Sequence, residues 1–558
     1  MARDPLAAVS TLATPQTQPI PGREAEQVRN SAGGYVFAKD LWTRLEDFLI
    51  LGTTGGTYYI GEDKLTADNA QVVFDAIAAD GVRTVQLLTE VSTARPPRAP
   101  KNRPALFVLA AAAARGDAGT RQAVKASFAE VARTTDHLAS FFGYYKNLGG
   151  KAIGGGTAPV IGRAMRTALA SWFLSENVDQ VAWRVCKARQ RKTPAGEAFA
   201  LRDALRIAHP KADSPQRRAL LGWIAGNVDD AEARGHVRAI DDFLTAQAVT
   251  TAAQAAEVVR HRGVPWEFLP DAVLSDPEVW DALIDTIGMT ALIRNLARMT
   301  RIRALVPLHS STRRAAARLT DAEALAKARV HPMDLFLALR VYKSGLAQPH
   351  RRAEQQRWQP VPAILDALEA AYELSFDHIQ PSGRRLLIAI DSSGSMLQQV
   401  QIGGSPLGSC YEVANAMAVI MNRIEGGDCH VIDVDTRVYR SRVTARTNLR
   451  EIGTWRMSGG GTDLSLPFQW AQREGLAVDG ILVLTDNESW AGAWQHPTQA
   501  LRAYRQAVSP NARVIVASMA ANGFTIADPR DKGVLNAVGL DASLPMLVNG
   551  YIRGSRLD

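Results

Sequence analysis

Asp391, Ser393 and Ser395 follow one another at two-residue steps in the run Asp391-Ser392-Ser393-Gly394-Ser395. A short loop can aim a carboxylate and two hydroxyls at one point, with Gly394 letting the chain turn tightly. Their oxygens are hard donors, suited to Mg²⁺ or Mn²⁺ and poorly suited to Zn²⁺ or copper. Two more oxygen donors occur in comparable settings. Thr462 lies in the glycine-rich run Gly459-Gly460-Gly461-Thr462-Asp463, and Asp486 follows a short apolar run. Asp391, Ser393, Ser395, Thr462 and Asp486 therefore read as a candidate divalent-cation site. In a chain without a metal, the same serines would serve as caps that satisfy loop amides.

Such a site needs strands that end together. Residues 386–390 form an apolar run that stops at Asp391, and 430–434, 481–484 and 514–519 are similar runs. Between them, 411–423, 466–474 and 499–506 carry helical periodicity. Short apolar strands alternating with amphipathic helices predict a parallel sheet covered on both faces. In that architecture the site lies beyond the carboxyl ends of the strands, where Asp391 and Asp486 both fall.

The preceding sequence has a different texture. From residue 36 to about 379, apolar residues recur at three- and four-residue steps. The segments are 41–51, 70–91, 122–131, 161–174, 217–224, 252–259, 278–287, 290–299, 332–342 and 363–374. Thr66-Ala67-Asp68 and Ser275-Asp276-Pro277-Glu278 mark helix starts. A long succession of helices with short joints predicts an α-solenoid of degenerate helix pairs, with a compact helical globule as the alternative. Pro5, Pro15, Pro19 and Pro21 predict a flexible arm over residues 1–22. The expected organisation is that arm, a helical domain over 23–380 and an α/β domain over 381–558.

Charge divides unevenly between the parts. The 558 residues carry a net charge of +8, yet residues 383–558 hold 17 basic and 16 acidic side chains. The densest basic run is Arg184-Val185-Cys186-Lys187-Ala188-Arg189-Gln190-Arg191-Lys192, followed by Arg202, Arg206, His209, Lys211, Arg217 and Arg218. Such a run can neutralise phosphates, or can simply be a solvated helix face. The three cysteines form no C-x-x-C pair, which fits a reducing cytosol. Residues 1–22 are polar and proline-rich rather than a signal peptide, and no apolar run is long enough to span a bilayer. A cytoplasmic protein is expected. No G-x-S-x-G elbow or Walker A motif occurs. No intrinsic catalysis is expected.

The D-x-S-x-S core at Asp391, Ser393 and Ser395, with Thr462 and Asp486, resembles the metal-ion-dependent adhesion site of von Willebrand factor A domains. The resemblance implies that Ser393, Ser395 and Thr462 supply hydroxyls to Mg²⁺ or a similar cation. It implies that Asp391 and Asp486 act directly or through water, and that an open position takes a carboxylate from an acidic protein ligand.

Residues 55–60, 289–296 and 330–332 resemble landmarks of the TROVE domain, and 460–467, 485–488 and 518–529 resemble the Ro autoantigen family. The similarity runs from about residue 30 to 545. It implies a monomeric ring of HEAT-like helical repeats plus a von Willebrand factor A domain. Such a ring is expected to bind small noncoding Y RNA on its outer surface and single-stranded 3′ ends of misfolded RNA in its central hole. A 3′-to-5′ exoribonuclease is an expected partner. Lys187, Arg189, His209 and Lys211 resemble segments that contact Y RNA. Arg163 and Arg166 lie in another matching helix, either lining the ring or as ordinary surface arginines. The stretch between Arg189 and His209 is several residues longer than in animal members. His331 reads as part of a helix start, and residues 55–59 as a turn with packed aromatics.

Overall fold

The computed structural model describes residues 13–52, 70–94, 98–99, 101–148, 163–174, 177–189, 201–347, 355–377, 379–402, 405–452, 455, 457–519, 523–539 and 543–553. A succession of helices runs from Leu41–Leu51 to Pro362–Leu374. Their starts follow capping chemistry. Asp40 accepts the Thr43 N–H at the head of Leu41–Leu51. Ser214 accepts the Arg217 N–H before Pro215–Ala225. Thr251 and Gln254 form a reciprocal capping box on Ala252–Arg262. Asp276 caps Pro277–Leu283 with proline in the first turn, as the sequence predicts. His331 Nδ1 accepts the Met333 N–H at 3.1 Å, the structural role expected of it. The Thr66 start and the 55–60 landmark lie outside the described residues.

Each helix packs chiefly on others close to it in sequence. Gln71–Thr93 packs on Arg103–Arg115 and Ala118–Val131, Arg163–Leu174 on Leu201–Ala208, and Ser310–Leu319 on Pro362–Leu374. A solenoid accumulates a continuous core in this way, because no single pair can bury its apolar face alone. Arg103–Arg115 is buried at every position from Pro104 to Ala113. The Phe128, Phe141 and Phe142 rings meet edge to face beside it.

Two strands precede the helices, β1 (Gln27–Arg29) and β2 (Tyr35–Ala38). A small hairpin, β3 (Leu346–Ala347) and β4 (Gln356–Arg357), precedes the helix Pro362–Leu374. The α/β part holds β5 (Leu386–Asp391), a hairpin of β6 (Gln399–Ile402) and β7 (Ser405–Ser409), then β8 (Cys429–Val434) and β9 (Val438–Arg440). It continues with β10 (Gly480–Thr485), β11 (Arg513–Ser518), β12 (Phe524–Thr525) and β13 (Val534–Val538). The main sheet has the order β13-β11-β10-β5-β8-β9 and is parallel except at the edge strand β9. Leu386, Ile388 and Ile390 of β5 join the core under helix Cys410–Glu425. Leu387 and Ala389 face Phe468 and Tyr504 on the other side. Leu484 lies opposite Ile390, so Asp391, Thr485 and Asp486 reach the same sheet edge.

The amino-terminal residues depart from the expected organisation. Residues 13–22 are not a flexible arm: Thr14, Gln16 and Ile20 are buried. Proline denies this segment a helix, but its polar groups find fixed partners in the α/β domain. The Thr14 N–H donates to Gln499 Oε1 at 3.1 Å, and the Gln16 N–H donates to the Gly492 carbonyl at 2.8 Å. Residues 23–38 likewise leave the helical domain expected over 23–380. β2 pairs with β1 on one side and with β12 on the other, Thr525 opposite Phe37. The Arg23 guanidinium donates to Asp528 Oδ1 at 2.7 Å and lies 4.5 Å over the Phe37 ring. Residues 1–12 lie outside the described residues.

At the other end of the array, helix Pro332–Ser344 packs on β7 and on Cys410–Glu425. The helices therefore begin and end on one α/β domain, which closes them into a ring. Among the described residues, no helix is long and apolar enough to cross a membrane.

Candidate metal centre and basic surface

Three loops meet at the carboxyl edge of the sheet. The first leaves β5 at Asp391. Its Ser392 N–H donates to the Val434 carbonyl at 2.8 Å, which ties it to the end of β8. The Ser393 N–H donates to Asp391 Oδ1 at 2.9 Å, and the Ser393 and Ser395 hydroxyls lie 3.2 Å apart. Met396, fully buried, anchors the turn that follows. The glycine-rich loop joins it backbone to backbone: Gly394 N–H to the Gly460 carbonyl at 3.1 Å, and Gly459 N–H to the Ser392 carbonyl at 3.1 Å. Gly459 has φ +76°, which glycine adopts at little cost. The third loop follows β10. Its Trp490 and Ala491 N–H groups donate to the Thr462 carbonyl at 2.9 and 2.8 Å.

The structure thus holds Asp391, Ser393 and Ser395, which the sequence singled out, in one hydrogen-bonded turn, and Thr462 and Asp486 on the two loops tied to it. Asp391, Ser393 and Thr462 are buried and Ser395 is exposed, so the cluster opens on one side. Burial, and then the nearby Asp486 charge, hold the Asp391 carboxyl above the usual carboxylate range. Two groups escaped the sequence reading. The Thr485 hydroxyl donates to Asp391 Oδ2 at 2.7 Å. Cys410 lies close enough that the Asp486 and Asp391 charges add to burial in pushing its thiol upward.

This donor set fits a hard divalent cation. It offers two carboxylates and three hydroxyls. Among the described residues, no three His, Cys, Asp or Glu side chains cluster. A cation here would keep several of its waters, as Mg²⁺ does readily. Asn487, next to Asp486, is fully buried at φ +68°. Neither its Oδ1 nor its Nδ2 has a hydrogen-bond partner among the described residues, which leaves capacity for such water. Asp391, Ser393, Ser395, Thr462 and Asp486 would hold the ion, and its charge would offset the repulsion between the two aspartates. Asp433 accepts the Tyr411 hydroxyl and Asp435 the Tyr439 hydroxyl.

The basic residues lie on a contiguous block of helices. Arg163–Leu174 packs on Leu201–Ala208, which packs on Pro215–Ala225, which packs on Val178–Arg189. Arg166, Arg202, Arg206, Lys211 and Arg218 are exposed. His209 is also exposed and ends its helix at φ +44°. Lys187 is partly committed, paired with Glu267 at 3.5 Å and lying 5.8 Å from the Trp183 ring centre. Arg217 drops out of the candidate surface. It is buried, and its guanidinium donates to the Phe173 carbonyl at 2.7 Å and to Asp213 at 2.8 Å. The side chains of Arg163 and Arg189 and all of residues 190–200 lie outside the described residues.

The TROVE domain model matches residues 28–242 and 260–348, and the Ro60 vWA domain model matches 385–552. The chain is 36% identical to the RNA-binding protein RO60 of Deinococcus radiodurans over 554 residues, 98% of this chain and 99% of that protein. It is 29% identical to the RNA-binding protein RO60 of Caenorhabditis elegans over 598 aligned positions, 95% of this chain and 90% of that protein. The crystal structure of the Deinococcus radiodurans RO (RSR) protein overlays with a TM-score of 0.71 at 34% identity, covering 92% of this chain and all of that one.

Proposed function

The chain belongs to the Ro family, whose members join a TROVE ring to a von Willebrand factor A domain, and from this we propose that it is an RNA-binding scaffold without catalysis of its own. The observation that carries the reading is the block of exposed cations between Arg166 and Arg218, in a chain whose full-length relatives are named RNA-binding proteins. Guanidinium forks pair with phosphate oxygens in fixed geometry and release condensed counterions. Arg202, Arg206 and Lys211 take part in no ion pair among the described residues.

In this reading, a small noncoding Y RNA lies along the outer helices, with Lys187, Arg189, His209 and Lys211 as contacts. Single-stranded 3′ ends of misfolded RNA enter the hole of a single-chain ring, where Arg163 and Arg166 are candidate lining residues. A 3′-to-5′ exoribonuclease then processes or degrades the captured RNA in the cytoplasm. Mg²⁺ or Mn²⁺ occupies the site at Asp391 and completes its shell with water or a partner's carboxylate.

The test is binding of a structured RNA with a single-stranded 3′ tail, over roughly 50 to 200 mM salt. Affinity should fall with salt, and should fall further in Arg206→Glu and Lys211→Glu. An affinity that ignores both salt and charge reversal defeats the proposal.

A second reading is favoured by the apolar residues around the metal loops. Leu397, Trp490 and Trp494 are 60%, 39% and 79% exposed. That rim suits a metal-dependent protein-interaction module for an acidic ligand, with RNA binding incidental. The two readings separate on salt and charge reversal, which weaken binding if RNA is held by the helices; Asp391→Ala should then leave RNA affinity nearly intact.

A further inference from the structure

Gln16 precedes the ring helices, yet it is completely buried between two of the metal-site loops. Its Nε2 donates to Asp463 Oδ1 at 2.7 Å, one residue from Thr462. Its Oε1 accepts the Ser489 hydroxyl at 2.6 Å, three residues from Asp486. Ser489 Oγ in turn accepts the Leu464 N–H at 3.0 Å. One side-chain amide thus brackets the loop that carries Thr462 to the loop that carries Asp486. Asp463 is a buried carboxylate, and its other donors, the Ser465 N–H and hydroxyl, come from its own loop. Gln16 supplies the donor that crosses from outside.

The neighbouring residues repeat the pattern. Asn30 Nδ2 donates to the Ser489 carbonyl at 2.8 Å, and the Ser31 hydroxyl donates to Glu488 at 2.8 Å. The close fit has left its mark on the glycines. A Cβ on Gly492 would fall 2.1 Å from Gln16 Nε2, and one on Gly34 would fall 2.1 Å from the Ser489 carbonyl oxygen. Residues 488, 489 and 492, which follow Asp486, are therefore held by a segment that leads directly through β2 into the first ring helix.

We propose that Gln16 is a positioning residue for the metal centre, and that cation binding at Asp391, Ser393, Ser395, Thr462 and Asp486 and docking of residues 14–38 strengthen one another. The inference rests on the metal-centre reading given above. Groups that orient metal ligands from behind alter metal affinity without touching the ion. Linkage makes the effect reciprocal: a docked segment that tightens the cation is itself tightened by the cation. The ring's amino-terminal closure would then be sensitive to the divalent cation.

The experiment is Mn²⁺ titration of the full chain, followed by electron paramagnetic resonance, for wild type, Gln16→Met and Gln16→Glu. Gln16→Met keeps the length and loses all three side-chain hydrogen bonds, with Asp463, Ser489 and the Gln495 carbonyl. It should weaken Mn²⁺ by roughly tenfold or more. Gln16→Glu keeps an acceptor for Ser489 but sets a charge against Asp463, and should weaken it at least as much. Amide exchange of residues 14–36 in the wild type gives the reciprocal readout. Mg²⁺ should slow it by a similar factor, and should leave it unchanged in Asp391→Ala. A wild type that binds no Mn²⁺ overturns the metal-centre reading itself. Mn²⁺ binding that is equal in wild type and Gln16→Met overturns the coupling alone. Should Gln16→Met not fold, the wild-type exchange decides: protection supports the coupling, and unchanged exchange overturns it.

Discussion

The hydroxyl of Thr485 donates to Oδ2 of Asp391 at 2.7 Å, from the last residue of one central strand to the last residue of its parallel neighbour. With the Ser393 N–H on Oδ1, both oxygens of this buried carboxylate are held before any cation arrives. Each retains a lone pair for a metal or its water. Thr485→Val removes the hydroxyl at nearly constant volume. The variant should lose about 1 to 3 kcal/mol of stability in the absence of metal, measured by denaturant unfolding. It should also bind Mn²⁺ more weakly, because Asp391 loses its orientation.

Asp391 and Asp486 repel one another, and a bound dication converts that repulsion into ligation. Added Mg²⁺ should therefore raise the melting temperature of the wild type. At one hundred times the dissociation constant the gain is about 2.7 kcal/mol. Asp391→Asn removes one of the two charges. Its melting temperature without metal should equal or exceed that of the wild type, and Mg²⁺ should no longer raise it. Scanning calorimetry with and without Mg²⁺ checks both statements, and a Mg²⁺ response that survives in Asp391→Asn would count against the assigned ligands.

Arg217 and Arg206 offer a contrast within one basic stretch. Arg217 is buried on the Phe173 carbonyl and Asp213, so Arg217→Ala should destabilise the helical ring by about 2 to 4 kcal/mol. Arg206 is exposed, so Arg206→Ala should change stability by less than about 0.5 kcal/mol. It should instead lower the salt slope of RNA binding by about one unit if it contacts a phosphate. Urea denaturation beside a salt series separates the two roles. An Arg206 variant with an unchanged slope would remove that residue from the RNA surface.

His137 should confer acid sensitivity on the helical domain. Burial, and then the Arg133 charge, hold its imidazole down at about 4, with the Asp136 charge in partial opposition. Its unfolded value is near 6.5. Between these limits the unfolded chain binds the extra proton, so stability must fall as the pH drops from about 6.5 to about 4. The full loss from this group is up to about 3 kcal/mol. Asn102 Nδ2 lies 3.3 Å from its Nδ1, a contact that an amide can keep. His137→Gln should flatten this part of the pH profile, measured by unfolding at pH 7 and pH 5.

Much of the architecture could be read before the structure was known. Asp391 ends a strand because five apolar residues precede it, and Asp486 follows another for the same reason. Helix starts at Asp276-Pro277 and His331-Pro332 were legible because capping acts within one turn. Signals failed where the determining contact crosses the chain. Pro15, Pro19 and Pro21 truthfully report the absence of helix, but nothing local reports that Gln16 meets Asp463 and Ser489. Arg217 carries the same charge as its neighbours, and no pattern in the run marks it as the buried one.

The sequence alone determined the five oxygen donors, the alternation of strand and helix around them, and the long helical array before them, because periodicity and strand ends are properties of a few consecutive residues. The tertiary structure decided which charges remain free for a partner, which hydroxyl steadies Asp391, and where the amino-terminal segment docks. Those outcomes depend on hydrogen bonds that cross the chain, from Arg217 to Phe173, from Thr485 to Asp391 and from Gln16 to Asp463 and Ser489, whose energies exist only when the fold has brought the partners together and excluded water from between them.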